Sequence, residues 1–191
     1  NPPFTKSLMG RVRNNTIGSA TINSGAELGN MIRLQNEGRI AATVAITGNI
    51  LRSATLTAIN VNHGISLLAG TAASNVTITG NTISDVTNGR AVSVQANDFL
   101  PAGGNAGTVC TDIAGNTMNS NIAGAGGDGT RIRVRQSASS APSVFNVRQR
   151  VATAGAIATE LDDANGFNNP AQVSVAGAPT YNAGACPQPS N

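Results

Sequence analysis

Apolar and polar residues alternate with period two in two shapes that recur along most of the chain. The first shape has an apolar residue at each end and asparagine fourth: VRNNTI at 12–17, ITGNIL at 46–51, ITGNTI at 78–83 and IAGNTM at 113–118. Its asparagines, Asn15, Asn49, Asn81 and Asn116, stand 34, 32 and 35 residues apart. The second shape follows each time, as MIRLQ at 31–35, ISLLA at 65–69, AVSVQ at 91–95 and RIRVRQ at 131–136, with a glycine before it at Gly29, Gly64, Gly89 and Gly129. Segments this short with this period are strands with one buried and one solvated face, not amphipathic helices. A unit of about 33 residues holding two or three such strands cannot bury its inner face alone and must stack on its neighbours. The predicted fold is all-β: a parallel β-helix, or β-solenoid, of about four coils over residues 1–147. A sandwich or jelly roll would need hairpin turns every ~8–12 residues, and the chain does not show them.

Stacking in parallel predicts one aliphatic column from Val44, Ile46, Val76, Ile78 and Ile113, and another from Ile17, Leu51, Ile83 and Met118. The four asparagines fall at one corner. An Asn amide can bond the backbone at a tight bend and the next Asn one coil away, and it tolerates left-handed φ. An asparagine ladder is therefore expected there, the alternative for each residue being an ordinary surface turn.

After about Asn146 the pattern changes, and residues 148–191 read as a C-terminal cap. Val151, Ala154, Ile157, Ala158, Leu161 and Ala164 are spaced as one face of a short helix, with Gly166 placed to cap it. A strand is expected over 172–176, then an extended strap over 182–191, where Pro187 and Pro189 flank the approach and Cys186 is the anchor. An open solenoid end exposes apolar core and unpaired strand edge, which such a lid would cover. Residues 1–10 carry Pro2 and Pro3 and offer no comparable lid. The first coil is expected to be covered by upstream chain, or by a second copy in an end-to-end or lateral homo-oligomer.

Composition agrees with aliphatic columns. The chain has 22 Gly, 23 Asn, four Phe, one Tyr and no Trp, too few aromatics for an irregular enzyme-like core. A net charge of +3 with abundant Val, Ile and Thr argues against disorder. No apolar run approaches the ~20 residues of a membrane helix. Cys110 and Cys186, 76 positions apart, fit no zinc or redox spacing. They read either as a disulfide, which implies an oxidising compartment, or as two buried thiols. With one His and two distant Cys, no metal site, cofactor site or nucleophilic triad can be assembled. Asp162 and Asp163 are adjacent on the expected helix and point apart. The glycine-rich run 124–129 lacks the Lys and Ser or Thr of a phosphate loop.

Eleven of the twelve basic residues are Arg. Arg131, Arg133 and Arg135 alternate along one strand, and Arg33 should share a column with Arg133, with Ser66 and Ser93 between them. Such a stripe can bind acidic polysaccharide or other anions; a solvated face that blocks edge aggregation is the plainer reading. Aromatic interleaving for nucleic acid is missing. Paired threonines, Thr55 with Thr57 and Thr77 with Thr79, do not recur in every coil as an ice-binding array would require.

The GNTI shape followed by the glycine-led strand resembles the parallel β-helix repeats of secreted bacterial proteins from about residue 12 to 147. The closing NAGACPQP at 182–189 is similar to the ends of large secreted adhesin-type β-helix proteins. This resemblance implies a right-handed coil, an exported bacterial product and a surface or matrix role. NHGISL at 62–67, NVTI at 75–78 and the NG pair at Asn88 and Gly89 also resemble polygalacturonases. Those enzymes place catalytic aspartates upstream of the histidine, because glycosidic cleavage needs an acid and a base flanking the bond. Here no Asp precedes Asp85, and the family's basic triplet downstream is replaced by Ala91, Val92 and Ser93. His63 then reads as a turn residue, and no catalytic residue is assigned. The expectation is a non-catalytic, secreted or cell-surface structural or adhesive β-helix that builds filaments or belongs to a longer surface protein. The alternative is a polysaccharide-binding or polysaccharide-degrading protein on the same scaffold.

Overall fold

The period-two segments pair in parallel, each with the segment one coil away. The computed structural model describes residues 7–21, 24–26, 29–36, 41–63, 73–96, 108–119, 122, 129–136, 144–150, 155–182 and 184–189. The first coil holds β1 (Ser7–Arg13), β2 (Thr16–Ile17) and β3 (Ile32–Asn36); the second holds β4 (Ala41–Thr47), β5 (Ile50–Ala54) and β6 (Ile59–His63). The third has β7 (Ala73–Thr79), β8 (Thr82–Val86) and β9 (Val92–Ala96), and the fourth β10 (Thr108–Ala114), β11 (Thr117–Met118) and β12 (Ile132–Gln136). Then follow β13 (Val144–Arg148), helix α1 (Ile157–Asn165), a 3-10 turn (Pro170–Gln172), β14 (Val173–Ala176) and β15 (Thr180–Asn182). Sheet A runs β1-β4-β7-β10-β13-β15, sheet B runs β2-β5-β8-β11, and sheet C runs β3-β6-β9-β12-β14. The chain is a parallel β-solenoid of about four turns.

Because pairing is in register, like side chains stack on like. Val12, Ile46, Ile78 and Ile113 form one inward column, and Ile17, Leu51, Ile83 and Met118 the next. Val44 and Val76 lie in a neighbouring column with Gly10, Thr111, Val147 and Tyr181, separate from that of Ile46. Sheet C adds Ile32, Ile59, Val92, Ile132 and Val173. In the middle coils these residues are closed off from water, with Ile46, Leu51, Ile59, Ile78 and Ile83 all at 0% exposure. β-Branched side chains suit this pleated surface, since their stiff χ1 leaves little entropy to lose on packing. The described aromatics, Phe145, Phe167 and Tyr181, gather where regular coiling ends.

Two local expectations shift. The sheet C strand of the second coil is Ile59–His63, earlier than the expected 65–69, which lie outside the described residues. Both stretches alternate, but the turn before β6 stacks on the turn below it: Ala58 N–H donates to the Arg90 carbonyl, and Ile59 N–H to that of Ala91. The strand must start directly after that turn, and Ile59 and Val61 take the inward places. The column between Arg33 and Arg133 is accordingly Asn60 and Ser93, not Ser66. The helix is seen from Ile157; Val151 and Ala154 lie outside the described residues. β1 begins at Ser7, ahead of the first expected shape at 12–17.

Truncating one member of an inward column leaves a hole that a regular stack cannot collapse around. Ile78→Ala is expected to cost about 3 kcal/mol, measured as a lower urea midpoint with an unchanged denaturant slope.

Candidate functional site

The corner between sheets A and B carries the most ordered polar constellation. Asn15 donates from its backbone N–H and from Nδ2 to Asn49 Oδ1, at 3.0 and 2.9 Å. Asn49 treats Asn81 the same way at 2.9 and 2.9 Å, and Asn81 treats Asn116 at 3.0 and 2.9 Å. The second Nδ2 hydrogen turns to backbone, from Asn49 to the Val12 carbonyl, from Asn81 to Ile46 and from Asn116 to Ile78. Each inner side-chain amide is thereby satisfied at about 0–2% exposure. The left-handed backbone expected of the asparagine falls one residue earlier, at Asn14 (φ 55°), Gly48 (65°), Gly80 (65°) and Gly115 (62°). That positive φ explains the GN pair at this corner, and at Gly48 a Cβ would in addition sit 2.6 Å from Asn14 Oδ1.

The ladder has a fifth rung that the repeat spacing conceals. Asn165, the last residue of α1, accepts from Asn116 N–H at 3.1 Å and Nδ2 at 3.0 Å, and its own Nδ2 donates to the Ile113 and Leu161 carbonyls. The Gly115 N–H reaches the Ala164 carbonyl as earlier coils reach a strand. The helix end thus substitutes for a coil, and Gly166 in the left-handed region releases the chain beyond it. Its signal in the sequence is the Asn-Gly pair alone, because 49 residues separate Asn165 from Asn116.

The tail returns along the outer face of sheet A. Cys186 bonds to Cys110 of β10, Gln188 donates to Thr77 Oγ1 of β7, and Arg11 of β1 donates to the Pro189 carbonyl. Beside this strap Asp112 is 2% exposed and accepts from Arg148 at 2.7 Å and from Arg150 at 2.9 and 2.8 Å. Arg150 N–H also donates to the buried Glu160 carboxylate at 2.6 Å, and Asn169 N–H to that of Asp162 at 2.9 Å. Burial, with the Glu160 charge adding, raises the Tyr181 phenol above its ordinary pKa of 10.0. Asp112 thus ties β10 to Arg148 and Arg150, while Glu160 and Asp162 fasten the helix to the chain on either side of it.

The arginines do not form one stripe. Arg131 turns to the cap, donating to the Met118 carbonyl at 2.9 Å with its guanidinium 5.2 Å from the Phe167 ring centroid. Arg133 and Arg135 remain on the outer face of sheet C, and Arg33 lies at its other end, bonded to Gln35. Between them Ser93 and Gln95 are buried. Among the described residues no three His, Cys, Asp or Glu side chains come together as a metal site would require.

The other conspicuous feature is the end formed by the first coil. Among the described residues β1, β2 and β3 are the terminal strands of their sheets, and an open depression of about 500 Å³ lies over Val12, Ile17, Met31, Ile32, Asn15 and Arg33. Leu8, on the core side of β1, is 52% exposed.

Removing an inner rung orphans partners on both sides. Asn81→Ala is expected to cost about 3 kcal/mol or more, whereas Asn15→Ala at the exposed end costs under about 1 kcal/mol, both read by urea unfolding. Opening the 76-residue disulfide span by Cys186→Ser should remove about 4 kcal/mol, seen as a lower thermal midpoint matched by wild type in reductant. Comparison with protein-family models, curated proteins and solved structures yields no match.

Proposed function

We propose that the chain is a non-catalytic structural β-solenoid of an extracellular surface, part of an elongated assembly. The observation that carries this reading is the unbroken amide corner from Asn15 to Asn165, closed at one end by a helix and fastened by a disulfide strap. The buried carboxylates Asp112, Glu160 and Asp162 are each bonded to a neighbour within the fold, which favours scaffold over catalyst. A disulfide is durable in oxidising compartments, which supports an exported product. Among the described residues no helix is long and apolar enough to cross a membrane. A bacterial surface or adhesive role follows from the repeat resemblance.

A second reading, recognition of acidic polysaccharide, draws on Arg133 and Arg135 side by side on one outer face. The purified chain incubated with polygalacturonate separates the two. The scaffold reading expects no release of reducing ends and no product absorbance, and a cell-surface location with Cys110 and Cys186 oxidised. Sustained turnover, or a cytoplasmic pool with both thiols reduced, overturns it. Retention on immobilised polygalacturonate that is lost in Arg133→Ser/Arg135→Ser favours the second reading.

A further inference from the structure

The amide ladder has a direction, and its two ends differ. Every rung gives its backbone N–H and Nδ2 to the Oδ1 of the next rung toward the C-terminus. At the far end the series is terminated, since the Asn165 amide is bonded to Ile113 and Leu161. At the near end Asn15 donates to Asn49 and to the Arg13 carbonyl, but among the described residues its Oδ1 accepts nothing. Around that acceptor lie three parallel strand edges, and the inward Val12 and Ile17, whose partners Ile46 and Leu51 are sealed, are partly exposed here. Leu8 is 52% exposed where its partner Ala42 is 1%.

We infer that this face receives an upstream coil of the same solenoid, one that presents a corner asparagine whose N–H and Nδ2 both donate to Asn15 Oδ1. The inference rests on the scaffold reading above and names its partner. The interface would continue the one between the first and second coils, with parallel strands over Ser7–Arg13, Thr16–Ile17 and Ile32–Asn36. A second copy does not satisfy the same constraints. Head to head, two Asn15 Oδ1 acceptors would face each other and the β1 strands would run antiparallel. Head to tail, the copy would offer the helix-closed end, whose asparagine amide is already bonded. The connectivity favours a covalent neighbour, because the chain passes from sheet C of each coil to sheet A of the next, as residues 37–40 join β3 to β4. An upstream coil would be delivered onto this face by the same step.

The test lengthens the chain by a copy of residues 73–96, which supplies one strand for each sheet and the Asn81 corner, placed before residue 1 so that residues 1–6 become the connection. The extended chain is expected to stay monomeric and to melt at least about 4 °C higher than the 191-residue chain. Asn15→Ala should raise the unfolding constant at least about tenfold more in the extended chain, where Asn15 becomes an inner rung. Melting at or below the original midpoint, equal effects of Asn15→Ala in both chains, or an unextended chain that dimerises through β1 would overturn the proposal. These outcomes leave the scaffold reading standing, which falls only on turnover or a reduced cytoplasmic pool.

Discussion

A carboxamide taken out of water at a tight corner has two hydrogens and an oxygen that all need partners, and leaving any of them unpaired costs on the order of 1–3 kcal/mol. Here the requirement is met between coils as much as within them. Each inner asparagine takes two hydrogens from the coil before it, gives two to the coil after it, and shares one more with a strand carbonyl. Satisfying the corner therefore fixes the register of the sheets on either side. Once Asn49 stands over Asn81, Ile46 stands over Ile78 and Leu51 over Ile83. The aliphatic columns supply most of the burial, and the corner decides which column meets which.

The same constraint accounts for the way the molecule ends. A coil cannot stop without stranding the amide of its last corner, so α1 places Asn165 where a strand's asparagine would be. The helix brings acidic side chains into buried positions, and their partners come from the chain on either side of it: Arg150 N–H for Glu160 and Asn169 N–H for Asp162. Arg148 and Arg150 close on Asp112 in turn. Much of the charge after residue 110 thus joins coil to cap.

What the sequence discloses follows from what repeats. Asn15, Asn49, Asn81 and Asn116 share flanking apolar residues, so the corner and two columns can be read before any coordinates. The second coil's third strand could not be placed that way, because Ile59–His63 and the following residues alternate equally well and only the stacked turn at Ala58 chooses between them. Asn165 was hidden for the opposite reason: a helical pattern carries it, and no strand spacing points to it. Arg131 shares the parity of Arg133 and Arg135 yet turns away to the Met118 carbonyl in its own coil and to Phe167, which arrives only with the cap. Local alternation encodes the coils, whereas contacts made once leave no period to detect.

The strap changes how such a stack would bear load. Nearest-neighbour coils normally peel one at a time from an end. A pull between the two chain ends would enter at Cys186 and cross directly to Cys110, so residues 111–185 would lie outside the path of force. The helical cap and the last rung sit within that shielded loop. Tension would instead fall on the earlier coils, where parallel strands over three sheets share it, while the end that keeps the core closed stays slack.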